Sequence, residues 1–264
     1  MAEKGEGADR VHTCRISAKQ RAHFAALLIL AVFVAFPLQA QSEIDFDPAI
    51  TQEEFAKFSR LVAQGIYATP VDAARARGLL GFDIGVAVTA VPVDTDASYW
   101  TRAVEEDFTY SDHVAIPKLV AAKGLGFGTL SASYSRIQDT GVSVWGGALD
   151  VPIIDGGIVS PTLALRGAYA QINGVEQLDL KTYGIELFLS KGFGPLTPYV
   201  AAGMARSDSA GRISSTFGDV TLLDESDKSR FTLGLKLSLF IPKIVIEATQ
   251  GEERSYAAKV SFGL

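Results

Sequence analysis

From Gly81 to the end of the chain, apolar residues recur at every second position. In residues 230–240, RFTLGLKLSLF, Phe231 and the leucines after it alternate with polar or small residues. Successive side chains point to opposite faces of a β-strand, so this spacing predicts a strand with one apolar and one polar face. The same pattern predicts ten strands, near 81–91, 114–122, 129–135, 142–151, 162–169, 182–190, 197–205, 230–240, 243–250 and 256–264. Eight strands remain an alternative, because 114–122 and 197–205 are ambiguous.

The predicted connections are of two kinds that alternate along the chain. One kind is short and often rich in glycine: 123–126, 152–160, 191–194 and the single Pro242. The other kind is polar and generally longer: 94–112, about 137–140, 171–180, 206–228 and 251–254. If the strands run up and down, the short turns lie at one end and the polar loops at the other. An even number of strands also places both ends of the sheet at the short-turn end.

The polar faces of the predicted strands contain mostly small residues with a few charges of both signs. Small residues suit a crowded interior better than an open surface, and buried charges persist when they are paired and hydrogen-bonded. We therefore expect a narrow lumen with a polar network. Its predicted members are Asp83, Asp150, Arg166, Glu186, Arg230, Lys236, Glu247 and Lys259.

The lengths of the strands and the positions of their aromatic residues favour a membrane location. A tilted strand needs about 9–11 residues to cross a bilayer, and most of these segments reach that length. Closure into a barrel satisfies every backbone group, as lipid requires. Aromatic residues predicted to lie at the two membrane interfaces are Phe82, Tyr134, Tyr169, Tyr183, Phe231, Tyr256 and Phe262. The predicted fold class is all-β: a closed, antiparallel, up-and-down transmembrane β-barrel (79–264) of about ten strands, with a short N-terminal helical segment.

Residues 1–40 have the features of a secretory signal peptide. Residues 24–38 are uninterruptedly apolar, Lys19 and Arg21 precede them, and Ala40 offers a small residue for cleavage. A retained membrane helix is the alternative, although a span needs about 20 residues. The single cysteine, Cys14, lies before the apolar block, so the mature chain is expected to have neither disulfides nor thiolate chemistry.

Residues 41–78 form a different segment, which we expect to be helical and either periplasmic or luminal. Thr51 and Glu54 fit a capping box, and apolar residues then recur at helical spacing, so the prediction is a helix at about 51–66. Thr69-Pro70 and Gly78 predict a second, short helix. The segment is interpreted either as packing helices without chemistry or as a plug or lid of the barrel.

The last ten residues, SYAAKVSFGL, alternate up to Phe262 near the carboxyl end. With this strand, residues 79–264 resemble the small outer-membrane β-barrel proteins of Gram-negative bacteria. The resemblance implies export by a signal peptide, recognition of the C-terminal strand by the barrel-assembly machinery, and a cell outer-membrane location among outer-membrane lipid. It does not imply one function, because such barrels serve structural, transport, adhesive and enzymatic roles.

Chemistry-bearing residues are sparse. After residue 40 the only histidine is His113, which follows Glu105-Glu106-Asp107 and Ser111. Acids and one histidine in a polar loop are usually solvated, so neither a catalytic site, a metal site nor a cofactor is predicted. Asp94, Asp96 and the acids of 105–107 lack the spacing of a calcium loop. The glycines of 124–126 and 192–194 are turn residues, because no helix start follows them. The formal charge of −6 argues against nucleic acid.

Three functional hypotheses follow. The leading one is a non-enzymatic outer-membrane barrel with a structural, surface-interaction or narrow-solute-path role; ten strands leave little open lumen, because wide aqueous channels need about 16. The second is a rim-located hydrolase centred on His113. The third is a secreted soluble barrel that binds an apolar ligand.

Overall fold

The computed structural model describes residues 44–104, 112–136, 142–157, 160–215, 218–239 and 242–264. The predicted signal peptide, residues 1–40, lies outside them. Two helices and ten strands are present in this part of the chain. They are helices α1 (Gln52–Ile66) and α2 (Ser98–Thr101), and strands β1 (Phe82–Pro92), β2 (His113–Gly124), β3 (Thr129–Arg136), β4 (Ser143–Ile154), β5 (Thr162–Asn173), β6 (Leu178–Ser190), β7 (Leu196–Ser215), β8 (Gly218–Ser238), β9 (Lys243–Gln250) and β10 (Arg254–Gly263).

The ten strands form one closed antiparallel barrel in which every strand pairs with its neighbours in sequence. The barrel closes where β1 pairs with β10, with Ile84 opposite Phe262 and Val88 opposite Ala258. The prediction of an all-β up-and-down barrel is therefore confirmed, and its strand number is ten rather than eight. None of the helices in the described ranges is both long and apolar enough to cross a membrane.

The polar segment 206–228 was predicted to be a loop, and this prediction is wrong. Strands β7 and β8 continue through it and pair without interruption from Leu196–Leu237 to Ser215–Gly218. The ladder between β6 and β7 ends at Gly211, so the tip of the β7–β8 hairpin extends beyond the wall. Pairing between the two strands satisfies the backbone N–H and C=O groups whatever the side chains are. A hairpin in water needs no apolar face, so its polar sequence resembled that of a loop.

Helix α1 begins with the predicted capping box. The amide of Glu54 donates to the Thr51 hydroxyl and the Thr51 amide donates to the Glu54 carboxylate. Its buried face packs into an aromatic cluster at the long-loop end of the barrel. Phe46 lies 5.5 Å from Phe55 and 5.7 Å from Phe58, measured between ring centroids, and Phe58 lies 5.9 Å from Trp100. This apolar cluster covers the long-loop end of the lumen.

The helix lies inside the barrel, because its side chains contact luminal residues of the wall. The Gln64 amide donates to the hydroxyl of Ser255 on β10, and Arg230 of β8 donates to the Gln64 side chain. The chain then continues towards the short-turn end of the lumen and enters β1 there. Close approach to the wall requires glycine: a Cβ on Gly184 would lie 2.5 Å from the Tyr67 hydroxyl.

The second helix predicted between Thr69 and Gly78 is absent. Residues 67–81 contain neither helix nor strand, and Val71 has a positive φ of 48°. Wall side chains take the backbone carbonyls that a helix would use internally. Lys118 donates to the carbonyl of Tyr67, Arg166 to that of Asp72 and Thr129 to that of Arg75. We call residues 44–81, which fill the lumen, the luminal segment.

Candidate functional site in the barrel lumen

A single carboxylate of the luminal segment is surrounded by basic side chains, two from the wall and one from the segment itself. Asp72 Oδ1 lies 2.7 Å from Lys236 Nζ, and its Oδ2 lies 2.5 Å from Arg77 Nη2 and 3.4 Å from Lys259 Nζ. All four side chains are buried. Because Lys236 and Lys259 belong to β8 and β10, these ion pairs hold the luminal segment against two strands.

Asp83, near the start of β1, shares two of these cations. Its carboxylate lies 3.3 Å from Lys259 Nζ, 3.7 Å from Arg77 Nη1 and 3.1 Å from Lys243 Nζ. Lys259 and Arg77 thus bridge Asp72 and Asp83. The result is one connected network at the short-turn end rather than separate pairs.

Arg166 and Asp150 form a two-bond ion pair across β4 and β5. Arg166 Nε donates to Asp150 Oδ1 at 2.6 Å, and Arg166 Nη2 donates to Oδ2 at 3.0 Å. The same Nη2 also donates to the carbonyl of Asp72 at 2.9 Å, and the guanidinium stacks on Phe188 at 4.1 Å from the ring centroid. Bidentate geometry and a fully buried cation make this a strong pair.

A second polar group lies nearer the middle of the lumen. Arg230 stacks on Tyr67 at 3.9 Å, lies 3.5 Å from Glu186 and donates to the Gln64 side chain at 3.0 Å. The Tyr67 hydroxyl donates to Glu186 at 3.3 Å. Helix α1 is therefore joined to the wall by hydrogen bonds as well as by packing.

Glu247 is bound differently from the other predicted residues. Its carboxylate accepts hydrogen bonds from the hydroxyls of Tyr199 and Thr69, and it has no ion pair within the described part of the chain. Lys118 is its counterpart among the bases: its Nζ donates to the carbonyls of Gly65 and Tyr67. Both groups are satisfied by polar neighbours rather than by opposite charges.

The structure places all eight residues of the predicted lumen network among the buried side chains. Asp150 is joined to Arg166, Glu186 to Arg230 and Asp83 to Lys259. Lys236 instead pairs with Asp72, which the sequence reasoning missed. Asp72 and Arg77 have no strand periodicity, and Lys118 lies in an ambiguous segment, so no pattern pointed to them.

The small and polar strand faces led us to expect a polar lumen, but the lumen is polar only in part. Near the long-loop end the inward-facing residues include Val144, Ile172, Leu178 and Leu180, all buried against the aromatic cluster. The wall is apolar where the luminal segment is apolar and charged where that segment is charged.

The predicted interfacial aromatics lie at two levels of the barrel. Phe82 and Phe262 are at the short-turn end, and the other five are nearer the long loops. In that upper group Tyr169 is directly opposite Tyr183, and Tyr134 is opposite Trp145, which was not predicted. Phe82, Tyr134, Tyr183, Phe231 and Tyr256 are exposed, whereas Tyr169 and Phe262 are half-buried.

A further ion pair lies at the long-loop end of the barrel, which we call the rim. Glu54 accepts hydrogen bonds from Thr51, and Arg102 Nη1 lies 2.9 Å from its Oε2. Hydrogen bonds from Ser98 and from the Thr51 backbone lower the pKa of Glu54 to about 2. The start of α1 is thereby fastened to α2.

Support for catalysis at the rim is limited to one residue. His113 is exposed at the start of β2, opposite Pro92. The acids of 105–107 and Ser111 lie outside the described residues. Within the described ranges, no group of three or more metal-ligating side chains comes together.

Comparison with known proteins adds little beyond the architecture. No family model matches the chain, and no curated protein matches it. Among solved structures it is similar to the N-terminal β-barrel domain of Pseudomonas aeruginosa OprF, with 12% identity and a TM-score of 0.32 over 72% of this chain and 97% of that one. It is also similar to Ail, the attachment invasion locus protein of Yersinia pestis, crystallised with the heparin analogue sucrose octasulfate, with 11% identity and a TM-score of 0.27 over 69% and 94% of the chains. Likenesses this distant carry no argument about function.

Proposed function

We propose that this protein is an integral outer-membrane β-barrel with a non-enzymatic, structural or surface-interaction role. The observation that carries the proposal is the direction of its apolar side chains. Strands β6 and β8 expose Ile185, Leu187, Leu233 and Leu235 on the outer face while Glu186 and Lys236 are buried inside. Soluble monomers rarely expose large apolar surfaces, whereas a lipid-facing barrel requires them.

The apolar outer face extends around the barrel. Every strand except β5 exposes at least one large apolar residue among the described side chains. Examples, one from each of seven further strands, are Ile84, Leu119, Leu130, Trp145, Val200, Ile246 and Tyr256. A soluble carrier of apolar ligands would need the opposite arrangement, because its binding cavity would be apolar and its outer face polar.

The luminal segment favours a structural or surface role over a solute path. Helix α1 and residues 67–81 occupy the lumen, and an ion pair between Asp72 and Lys236 and a hydrogen bond from Arg230 to Gln64 hold them to the wall. In a transmembrane barrel with long outer loops, the β7–β8 hairpin would project from the cell surface, where it offers the largest element for contact with a partner.

Membrane fractionation tests the proposal. We expect the exported chain to remain with the outer membrane after salt and urea washes and to be released only by detergent. Its folded form should migrate differently from the heated form on a gel, as closed barrels do. Recovery of a dispersed monomer without detergent would overturn the proposal.

A further inference from the structure

The short-turn end of the lumen contains five basic side chains, of which Arg75 is half-buried, and among the described residues only two carboxylates pair with them directly. We define the short-turn cluster as five basic and two acidic side chains: Arg75, Arg77, Lys236, Lys243, Lys259, Asp72 and Asp83. The side chains of Arg77, Lys236 and Lys259 are only 3%, 4% and 1% exposed. Charge buried without compensation is costly, so this surplus requires a partner.

The two carboxylates of the cluster already form ion pairs with four of its five cations, all except Arg75. Asp72 contacts Lys236, Arg77 and Lys259, and Asp83 contacts Lys243 as well as the last two. Arg75 is close enough to act electrostatically on both Asp72 and Lys236, yet it forms no ion pair with any carboxylate in the described ranges. The nearby carboxylate of Asp150 forms its ion pair with Arg166.

Donor groups in the cluster point to the same conclusion independently. Arg77 Nη1, Arg75 Nε and Arg166 Nη1 are buried and donate no hydrogen bond to any of the described residues. Buried guanidinium N–H groups almost always find an acceptor, and an unsatisfied one costs free energy. Arg77 and Arg166 both donate to Asp72 through their other nitrogens, so these free donors call for an acceptor that the described residues do not supply.

The cluster lies close to the mouth of the barrel. Arg77 is followed by Gly78, where a Cβ would meet no atom within 4 Å, and then by Leu79 and Leu80, which are 69% and 85% exposed. Lys243 begins β9 at the same end. The cluster therefore lies near the solvent-exposed short-turn end of the lumen.

We propose that the short-turn cluster binds a phosphate group through Arg75 and Arg77, with Lys243 and Lys259 adding positive charge. Guanidinium groups present paired N–H donors that match the oxygens of a tetrahedral oxyanion, and lysines add attraction without a fixed direction. The phosphate group has two possible sources, free inorganic phosphate and a phospholipid head group. The exposed Leu79 and Leu80 lie beside the site, where acyl chains would meet them.

Thermal unfolding of the purified full barrel in neutral detergent tests the proposal. A ligand that binds only the folded state raises the unfolding midpoint as its concentration increases. Inorganic phosphate is added at constant ionic strength against chloride, and a short-chain phosphatidylglycerol is added in a separate arm. Phosphorus NMR of the same samples reports binding even if the midpoint is insensitive.

Arg75→Gln is the diagnostic variant, because Arg75 has no ion pair in the described chain and its loss should leave the barrel folded. Arg254→Gln, exposed at the opposite end, is the matched control. We expect phosphate affinity to fall about tenfold in Arg75→Gln, the effect of one lost charge-assisted hydrogen bond, and to be unchanged in Arg254→Gln. A response to the lipid alone would assign the head group as the source.

Two results would overturn the proposal: no response to either ligand above the chloride baseline, or an equal response from Arg75→Gln and the unchanged chain. Since this experiment uses a folded barrel in detergent, its failure would leave the proposed outer-membrane location untouched. The phosphate site goes beyond that proposal and does not depend on it.

Discussion

Asp72 and Lys236 are 164 residues apart in the chain, yet their side chains meet at 2.7 Å inside the barrel. This contact joins an irregular segment that contains no strand to the wall strand β8. Because Lys259 of β10 contacts the same carboxylate, Asp72 holds the luminal segment to two wall strands at once.

Neutralising Asp72 should therefore loosen the luminal segment. In Asp72→Asn the three cations lose their shared partner, and breaking a buried ion pair from one side costs about 3–5 kcal/mol. Asp155→Asn, in an exposed short turn, is the control and should be neutral. Urea unfolding followed by tryptophan fluorescence measures both; equal midpoints for the two variants would contradict the assignment of Asp72.

Arg166→Gln should also destabilise the barrel. The change leaves Asp150 buried without its bidentate partner and removes the hydrogen bond to the Asp72 carbonyl. Glu186→Gln should have a smaller effect, because the Glu186–Arg230 contact is longer, at 3.5 Å. The temperature at which the folded gel mobility is lost is the measurement, and mobility unchanged in Arg166→Gln would count against an energetic role for the network.

The path of the chain through the lumen makes a topological prediction. Asp47 is at the long-loop end, where its amide donates to the Arg102 carbonyl, whereas Asp155 is at the short-turn end. Under the proposed outer-membrane topology, Asp47→Cys should react with an impermeant maleimide on intact cells. Asp155→Cys should react only after the outer membrane is opened. The chain's only cysteine, Cys14, precedes the predicted cleavage site, so the mature protein should give no background labelling. Labelling of both positions on intact cells would contradict this topology.

Two leucines of β8 can distinguish an outer face that meets lipid from one that meets water. Leu233 and Leu223 are 63% and 65% exposed, but only Leu233 lies within the ten-strand wall, opposite Ala248 of β9. Leu233→Lys should cost about 2–4 kcal/mol if the outer face meets lipid, and Leu223→Lys should cost little. Refolding yield into lipid vesicles tests this, and a soluble barrel would tolerate both changes equally.

Stability at the rim should depend on pH through Glu54. Its pKa is lowered from 4.5 to about 2 by hydrogen bonds from Ser98 and Thr51. The contribution of a carboxylate with a depressed pKa is present above 4.5 and is lost as the pH falls towards 2. Glu54→Gln should cost about 1 kcal/mol near neutral pH, and the difference from the unchanged chain should shrink in acid. A pH-independent difference in unfolding midpoint would be inconsistent with this role.

The alternation of apolar and polar residues was enough to predict the barrel and the inward direction of Arg166, Glu186 and Lys259. It was sufficient because a period of two reports directly on the two faces of a strand. Residues 171–180 were predicted to be a polar loop, yet Leu178 and Leu180 belong to β6 and face the lumen, as Val144 of β4 does. The luminal segment is itself apolar near the long-loop end, so the inward face of these strands is apolar there and the expectation of polar inward faces did not identify it.

The sequence by itself determined that ten strands form the wall, that most of them have an apolar outer face, and where helix α1 begins, because these depend on neighbours a few residues away. Only the tertiary structure decided what fills the lumen. Lys236, which pairs with Asp72, and Glu186, which accepts from Tyr67, belong to strands more than a hundred residues further along the chain. Residues 67–81 have no periodicity of their own, because their carbonyls and side chains are satisfied by the wall that surrounds them.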